Sequence, residues 1–451
     1  MKIIIVGCGK VGYSIAQELD REGHDIVVVD NKASAIHQIT DNLDVMGVIG
    51  NGTSYTVLKE AGIEEASLLI AVTESDELNL LCCLFAKKAG NCETIARVRN
   101  LQYNEEINFI REKMGLSMTI NPELETAVDM SRLIRIPTAI KVDTFANGKV
   151  ELLKFQIPED SILDNMLLIN LNKMVKGQLL VCAVERDDQV FIPSGKFVLQ
   201  AQDIISFLAS PKTATQFFKE IGIISRPIKD TIIVGGGTLG MYLTSMLIKY
   251  GIKVKIIEQS LDKCNELSEL FPEALIINGN ASDNNLLIEE GIEEADAFVS
   301  LTNLDEENIL LSIYAYKVSR AKVFTKITRL AFDDIISEMP LGVIVNPKLV
   351  TAERIIQHVR AMCNSKGSNV ETLYKIVGNK VEALEFRVRN NNSIIGIPLE
   401  KLSLKPELLV GCINRYGKII IPNGKDTIQI GDTVIIVTTI TGLDDLNDIL
   451  L

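Results

Sequence analysis

Two short segments of the chain combine residue types and spacing that suit the capture of a phosphorylated nucleotide. GCGKVG (7–12) and GGGTLG (235–240) both satisfy the pattern G-x-G-x-x-G. Each follows an apolar run and opens an amphipathic helical stretch, Tyr13 to Arg21 and Met241 to Tyr250. In that setting the first glycine (Gly7, Gly235) permits a tight turn. The second (Gly9, Gly237) lets a pyrophosphate approach the backbone, and the third (Gly12, Gly240) lets helix pack on strand. Phosphate oxygens would meet the unpaired N–H groups at the positive end of the helix. An acid closes the next apolar run 18 residues after the last glycine, Asp30 in IVVVD and Glu258 in VKIIE. A carboxylate there accepts from two ribose hydroxyls and repels a 2′-phosphate, so NAD or an adenosine phosphate is expected over NADP.

Other candidates follow later apolar runs. Asn51–Gly52 and Asn280–Ala281 come after the third run of their half, Thr73–Glu74 and Thr302–Asn303 after the fourth. The carboxyl ends of strands in an open parallel sheet form the ligand crevice. The same residue types also make plain turns and caps, and both readings stand. Arg97 and Arg99 alternate with Ala96 and Val98, a strand pattern that puts both guanidinium groups on one face. An Arg there can hold a phosphate bidentately. Lys326 and Arg329 occupy the matching segment FTKITR. A solvated charge at a sheet edge is the alternative.

Catalytic chemistry is harder to find. Hydride transfer needs an acid–base group and a pocket for a second substrate. The histidines are His24, in the loop REGHD, His37, on a polar helix face, and His358. No G-x-S-x-G, Walker lysine motif or HExxH occurs. The eight cysteines form no CxxC pair, and no histidine lies near them at zinc-ligand spacing. Nucleotide binding without catalytic machinery points to a sensor, with an NAD-dependent oxidoreductase on the same fold as the alternative.

Composition narrows the partners. Lys+Arg 46 against Asp+Glu 59 gives a net charge of −13. Such a balance repels phosphate backbones, so no nucleic-acid partner is expected, which disfavours a redox sensor acting on DNA. The uncharged window from Thr231 to Ile248 holds four glycines and several hydroxyl residues. A strand, a turn and a helix start explain it better than a membrane span, which wants about 20 mainly apolar residues. The N-terminal run IIIV is too short for a signal-peptide core, so a cytoplasmic location is expected.

The elements that must position these residues come from an internal repeat. IIIVGCGKVG (3–12) returns as TIIVGGGTLG (231–240), 228 residues later. EAGIEEA (60–66) matches EEGIEEA (289–295), and TESDELN (73–79) matches TNLDEEN (302–308), both at an offset of 229. NPELETAVDMSRLIR (121–135) recurs loosely as NPKLVTAERIIQHVR (346–360). Within each half, short β-branched runs alternate with helix-length segments, which indicates a parallel sheet covered on both faces. The later parts hold strand-like runs such as KVELLKFQIP and LLVGCINRYGKIIIP, and read as small α+β modules. The expected fold is α/β, two Rossmann-like doubly wound parallel-sheet domains, each followed by a small α+β domain. The limits are 1–137, 138–224, 228–362 and 366–451, with the linker SRPIK (225–229) between the halves.

Over essentially all 451 residues this order of parts resembles the RCK (regulator of potassium conductance) family in its doubled form. Both glycine loops, the acids Asp30 and Glu258, the GNGTS and GNAS turns and both GIEEA segments carry the resemblance. It implies RCK-N and RCK-C domains, with NAD(H) or the alternative ligands ATP and ADP in the N lobes. It also implies a cytosolic protein, peripheral at the inner face of the cell membrane and gating a Trk-type potassium-translocating subunit. Homo-oligomers are implied too, a tetramer carrying eight N lobes. Matched by motif, Gly7, Cys8, Gly9, Lys10 and Val11 would contact nucleotide, with Gly12 closing the loop, and so would Asp30, Asn51, Gly52, Thr73, Glu74 and Arg97. The second-lobe counterparts are Gly235, Gly236, Gly237, Thr238 and Leu239, with Gly240, and Glu258, Asn280, Ala281, Thr302, Asn303 and Lys326. Ala281 for glycine and Lys326 for arginine are the departures.

Overall fold

The computed structural model describes all residues except 91, 101–102, 104–105, 146–148, 176–177, 188, 223–226, 329–335, 337–338, 366–369, 377–379, 390–392, 441–442 and 444. Arg329 and residues 225–226 of the linker lie outside the described residues.

Apolar runs without polar alternation become the strands of a parallel sheet, buried on both faces at its centre. In the first N lobe these are β1 (Lys2–Val6), β2 (Asp25–Asp30), β3 (Met46–Ile49), β4 (Leu68–Ala71), β5 (Glu93–Arg97) and β6 (Met118–Ile120). The helices are α1 (Lys10–Arg21), α2 (Ala33–Thr40), α3 (Tyr55–Glu60), α4 (Asp76–Gly90), α5 (Ile107–Met114) and α6 (Pro122–Arg135). All strand pairs are parallel, in the order β3-β2-β1-β4-β5-β6. The order reverses between β1 and β4, so the carboxyl ends of those strands flank a crevice. The doubly wound expectation is met.

A first C module follows, with β7 (Lys141–Phe145), β8 (Val150–Gln156), α7 (Leu168–Met174), β9 (Leu179–Arg186), β10 (Gln189–Phe191), β11 (Ile204–Ala209) and α8 (Pro211–Glu220). Its antiparallel sheet runs β10-β9-β11-β8-β7. The second N lobe repeats the first, with β12 (Asp230–Val234), α9 (Thr238–Lys249), β13 (Lys253–Glu258), α10 (Leu261–Leu270), β14 (Leu275–Asn278) and α11 (Asn284–Glu289). It continues with β15 (Ala297–Ser300), α12 (Asp305–Val318), β16 (Lys322–Lys326), β17 (Val343–Val345) and α13 (Pro347–Ser365), in sheet order β14-β13-β12-β15-β16-β17. The second C module has β18 (Val370–Ile376), β19 (Val381–Arg387), β20 (Leu408–Arg415), β21 (Lys418–Ile420) and β22 (Thr433–Thr438), ordered β18-β19-β22-β20-β21.

Three details depart from the sequence reading. Helices α1 and α9 begin three residues earlier than expected, taking the third glycine into the first turn. Each N lobe gains a sixth strand of three residues, too short to show an alternating pattern. Arg97 and Arg99 do not share a strand face, because β5 ends at Arg97. There Asp76 Oδ2 captures the N–H groups of Arg99 and Asn100, each at 2.7 Å, and ends the ladder.

Like parts pack with like. One compact unit joins Met1–Ser131 with Lys229–Ile356, the other Arg132–Ile228 with Gln357–Leu451. In the second unit both C modules feed one core, which includes Leu152, Cys182 and Leu208 beside Val381, Cys412 and Ile435. The described cysteines are free and buried. Desolvation pushes Cys82 and Cys412 up to about 12, which fits small core hydrophobes.

In each C module an arginine grips a buried aspartate. Arg186 Nε and Nη2 donate to Asp203 Oδ1 and Oδ2 at 2.6 and 2.7 Å, and Arg415 repeats this with Asp432 at 2.9 and 2.8 Å. The aspartates are 1% and 0% exposed. Removing one partner strands a buried charge, so Arg186→Ala and Arg415→Ala should each destabilise by about 3 kcal/mol. Urea unfolding of the full-length variants measures it, and an unchanged midpoint would contradict the pinning role.

Candidate functional site

The two glycine loops adopt the same geometry. Gly7 and Gly235 have φ of +103° and +102°, a region that favours glycine. A Cβ on Gly12 would lie 1.9 Å from the carbonyl oxygen of Gly7, and one on Gly240 would lie 2.5 Å from that of Gly235. Only glycine lets the helix come this close to the strand. By contrast, a Cβ on Gly9 or Gly237 would meet nothing within 4 Å. Those two residues are the N-caps of α1 and α9, and neither helix has a side-chain cap. Open space therefore faces a helix start whose N–H groups no side chain satisfies, which is an anion cradle.

The acids reach back to the loops. Asp30 accepts from Cys8 N–H through Oδ2 at 2.7 Å and from Lys32 N–H through Oδ1 at 2.9 Å. Glu258 does the same with Gly236 and Ser260, both at 2.9 Å. Each carboxylate thus staples its loop and keeps lone pairs in reserve for further donors. Burial and the Asp30 charge push the Cys8 thiol up to about 12, so it stays protonated.

The remaining candidates divide. Asn51 Oδ1 accepts from the Thr53 N–H at 3.0 Å, and Asn280 Oδ1 from the Ser282 N–H at 3.0 Å, so both serve their own turns. Gly52 is needed for packing, since a Cβ would lie 2.3 Å from Val6 Cγ1. In the second lobe Ala281 occupies that position, buried in a core with Val234 and Leu311. Glu74 and Asn303 are exposed. Arg97 Nη1 donates to the Thr73 carbonyl at 3.4 Å, and Lys326 Nζ to that of Leu301 at 3.1 Å. Burial lowers the pKa of both cations, and Arg99 lowers them further. Asp305 and Glu123 pull Lys326 back up, so a second-lobe cation feels a first-lobe carboxylate. Arg97 Nε is buried without a hydrogen-bond partner.

Sequence reasoning missed Asn79 and Asn308, both fully buried. Asn79 Oδ1 accepts from the N–H and hydroxyl of Thr73 at 2.8 and 2.7 Å. Its Nδ2 donates to the carbonyls of Thr73 and Arg97 at 3.3 and 2.9 Å. Asn308 makes the matching bonds to Thr302 and Lys326. These amides tie the end of the fourth strand to the end of the fifth. The signal was present, for both close the matched segments TESDELN and TNLDEEN.

The lobes also bring their cradles together. Lys10 Nζ lies 3.5 Å from the Thr328 carbonyl, and Asn121 Nδ2 donates to Tyr242 Oη at 3.1 Å. A cavity of about 330 Å³ lies between Glu74–Glu77, Arg99 and Asn100 of the first lobe and Thr238 of the second.

Residues 3–122 and 231–347 match the TrkA-N domain, and residues 152–222 and 383–451 match the TrkA-C domain. The chain belongs to the TrkA family. The Trk system potassium uptake protein TrkA homolog of Archaeoglobus fulgidus is 32% identical over 437 residues, 97% of each chain. TrkA of Halomonas elongata is 32% identical over 441 residues, 97% of this chain and 95% of that protein. Among solved structures the GsuK channel shares the fold, with TM-score 0.64 and 17% identity over 97% of this chain and 76% of that one. The GsuK channel bound to NAD gives a TM-score of 0.64 at 16% identity, over the same shares of the two chains. These relatives are named as potassium-uptake proteins and not as enzymes.

The glycines of the TrkA-N loops separate folding from binding. Gly12→Ala should destabilise the first lobe by about 1–3 kcal/mol through overpacking. Gly9→Ala, in extended backbone with open space around it, should cost less than about 0.5 kcal/mol. Its methyl would nonetheless occupy the open space in front of the helix start. Thermal unfolding of the two variants decides this. Equal losses would refute the division.

Proposed function

We propose that the chain is the nucleotide-sensing regulatory subunit of a Trk-type potassium uptake system, acting at the inner face of the membrane on a potassium-translocating subunit. The observation that carries the proposal is the open space over Gly9 and Gly237, in front of two uncapped helix starts and beside a stapling acid. Each TrkA-N lobe takes NAD(H) or an adenine nucleotide. The pyrophosphate rests on Gly7 to Val11 or Gly235 to Leu239, and the ribose on Asp30 or Glu258. Arg97 and Lys326 face phosphate charge, their burial being offset when an anion arrives. Asn51, Gly52, Thr73 and Glu74, with Asn280, Ala281, Thr302 and Asn303, border the rest of each crevice. The module limits 1–137, 138–224, 228–362 and 366–451 are kept in this reading. No described helix is long and apolar enough to cross a membrane, which leaves translocation to the partner. Nucleotide exchange then shifts the lobes between arrangements that hold the partner open or closed, which requires different affinity for the two states.

Calorimetry on the full-length chain tests the binding step. Asp30→Ala should weaken NADH and ATP together, since both present the same ribose. Losing a charged hydrogen-bond acceptor costs about 1.5–3 kcal/mol, roughly ten- to a hundred-fold in dissociation constant. Discrimination against NADPH should fall at the same time, while Glu258→Ala leaves the first-lobe step unchanged if the lobes bind independently. An NADH affinity unaltered by Asp30→Ala would remove the ribose role.

The regulatory reading also needs an assembly, and a tetramer with eight N lobes is its form. Helices α6 and α13 are amphipathic, but their apolar residues Ala127, Met130, Ile134, Ala352, Ile355 and Val359 are already buried within the chain, so the tetramer rests on the likeness to the RCK family. Light scattering at micromolar concentration should give four times the chain mass of 49.7 kDa. A monomer mass would remove the assembly.

A further inference from the structure

The two TrkA-N lobes meet at positions that correspond to one another in the repeat. NPELETAVDMSRLIR and NPKLVTAERIIQHVR align at an offset of 225, so Asp129 on α6 corresponds to Arg354 on α13. In the structure these two corresponding residues face each other. Arg354 Nη2 lies 2.9 Å from Asp129 Oδ1, and its Nε lies 3.3 Å from Glu125 Oε2. The Arg354 side chain is only 19% exposed. A residue that meets its own repeat equivalent marks a local two-fold axis, as in an isologous dimer. In a true dimer of identical lobes, however, the same charge would meet itself there.

The glycine-loop edge follows the same rule. Lys10 Nζ of the first lobe approaches the Thr328 carbonyl of the second. At an offset of 229, the first-lobe equivalent of Thr328 is Arg99, and at 228 the second-lobe equivalent of Lys10 is Thr238. Thr238 and Arg99 line one cavity. Each of the two edges therefore has one cation and one neutral partner, with the cation on opposite elements. Glu123 and Lys348 are a further pair of equivalents with opposite sign.

Pairing two first lobes would set Asp129 and Glu125 against their own copies, and would bring Lys10 to the backbone beside Arg99, whose guanidinium is paired with Glu123 at 2.7 Å. Pairing two second lobes would set Arg354 against Arg354. We infer that the α6 and glycine-loop surface of the first lobe is a docking surface specific for a second lobe, which it attracts, and closed to another first lobe, which it repels. Specificity of this kind combines an attractive contact with a repulsive one. The tether between the lobes does not supply it. Once several chains assemble, a neighbour's lobes are available at comparable effective concentration. The charge pattern then decides which lobes pair.

Arg354→Asp gives the second lobe the first lobe's charge, so the full-length variant reports what a like pair must tolerate. Amide hydrogen exchange along α6 and α13 reads the pairing. Exchange in Arg354→Asp should rise about tenfold over wild type, and well above Arg354→Met, which removes the cation without adding an anion. Asp129→Arg combined with Arg354→Asp should restore slow exchange. Salt at about 1 M should narrow the gap between Arg354→Asp and Arg354→Met. Recovery of folded protein only for the combined variant also supports the inference. It is overturned if Arg354→Asp exchanges no faster than Arg354→Met, or if the combined variant fails to restore protection.

Discussion

The approach of the third loop glycine to the carbonyl of the first governs each TrkA-N lobe. With no Cβ at Gly12, the start of α1 lies against the turn that follows β1. That contact fixes the direction of the helix, and with it the direction of the N–H groups at its start. The Asp30 carboxylate then ties the loop to the end of β2 through the Cys8 N–H. Asn79 ties the end of β4 to that of β5, setting the far wall of the crevice. Three local constraints, none worth more than a few kcal/mol, thus define one concave site. The second lobe repeats all three, with Gly240, Glu258 and Asn308.

Repetition makes the differences informative. The three loop glycines, an acid at the end of the second strand and the buried asparagine are kept between the halves, whereas several residues at the lobe–lobe contact change sign or lose charge. Lys10 becomes Thr238, Arg99 becomes Thr328 and Asp129 becomes Arg354. A tandem chain can vary its two faces independently, which a homodimer of single lobes cannot do. The C modules show no such division in their pinning pair, since Arg186–Asp203 and Arg415–Asp432 have the same geometry. Their common core instead rests on apolar residues from both sheets.

Much of this was legible in the sequence, for a physical reason. Glycine spacing, a terminal acid and buried β-branched runs are local signals, and they specify the doubly wound sheet and its loops. Signals that depend on tertiary contact were not legible. Asn79 reads as a polar residue on a helix until the fold buries it between two strand ends. The Arg97 and Arg99 alternation predicts one shared face, but Asp76 ends β5 between them. The three-residue strands β6 and β17 are set by pairing with β5 and β16 rather than by their own pattern. The meeting of Asp129 with Arg354 needs both halves folded and paired before it exists at all.

That last contact bears on how a signal could leave the cradle. The residue that opens α1, Lys10, is both a loop member and a contact to the second lobe. A phosphate in the first cradle would compete with the neutral Thr328 carbonyl for this ammonium, and a charge-assisted bond to phosphate is the stronger. Thr328 is itself held by Asp305, which accepts from its N–H and hydroxyl at 3.0 and 3.1 Å. Asp305 begins α12, and Asn308 on the same helix fixes the second crevice. A chain of contacts therefore runs from the first cradle to the wall of the second. Under the proposed function, occupancy of the first cradle would be felt at the second crevice along this path.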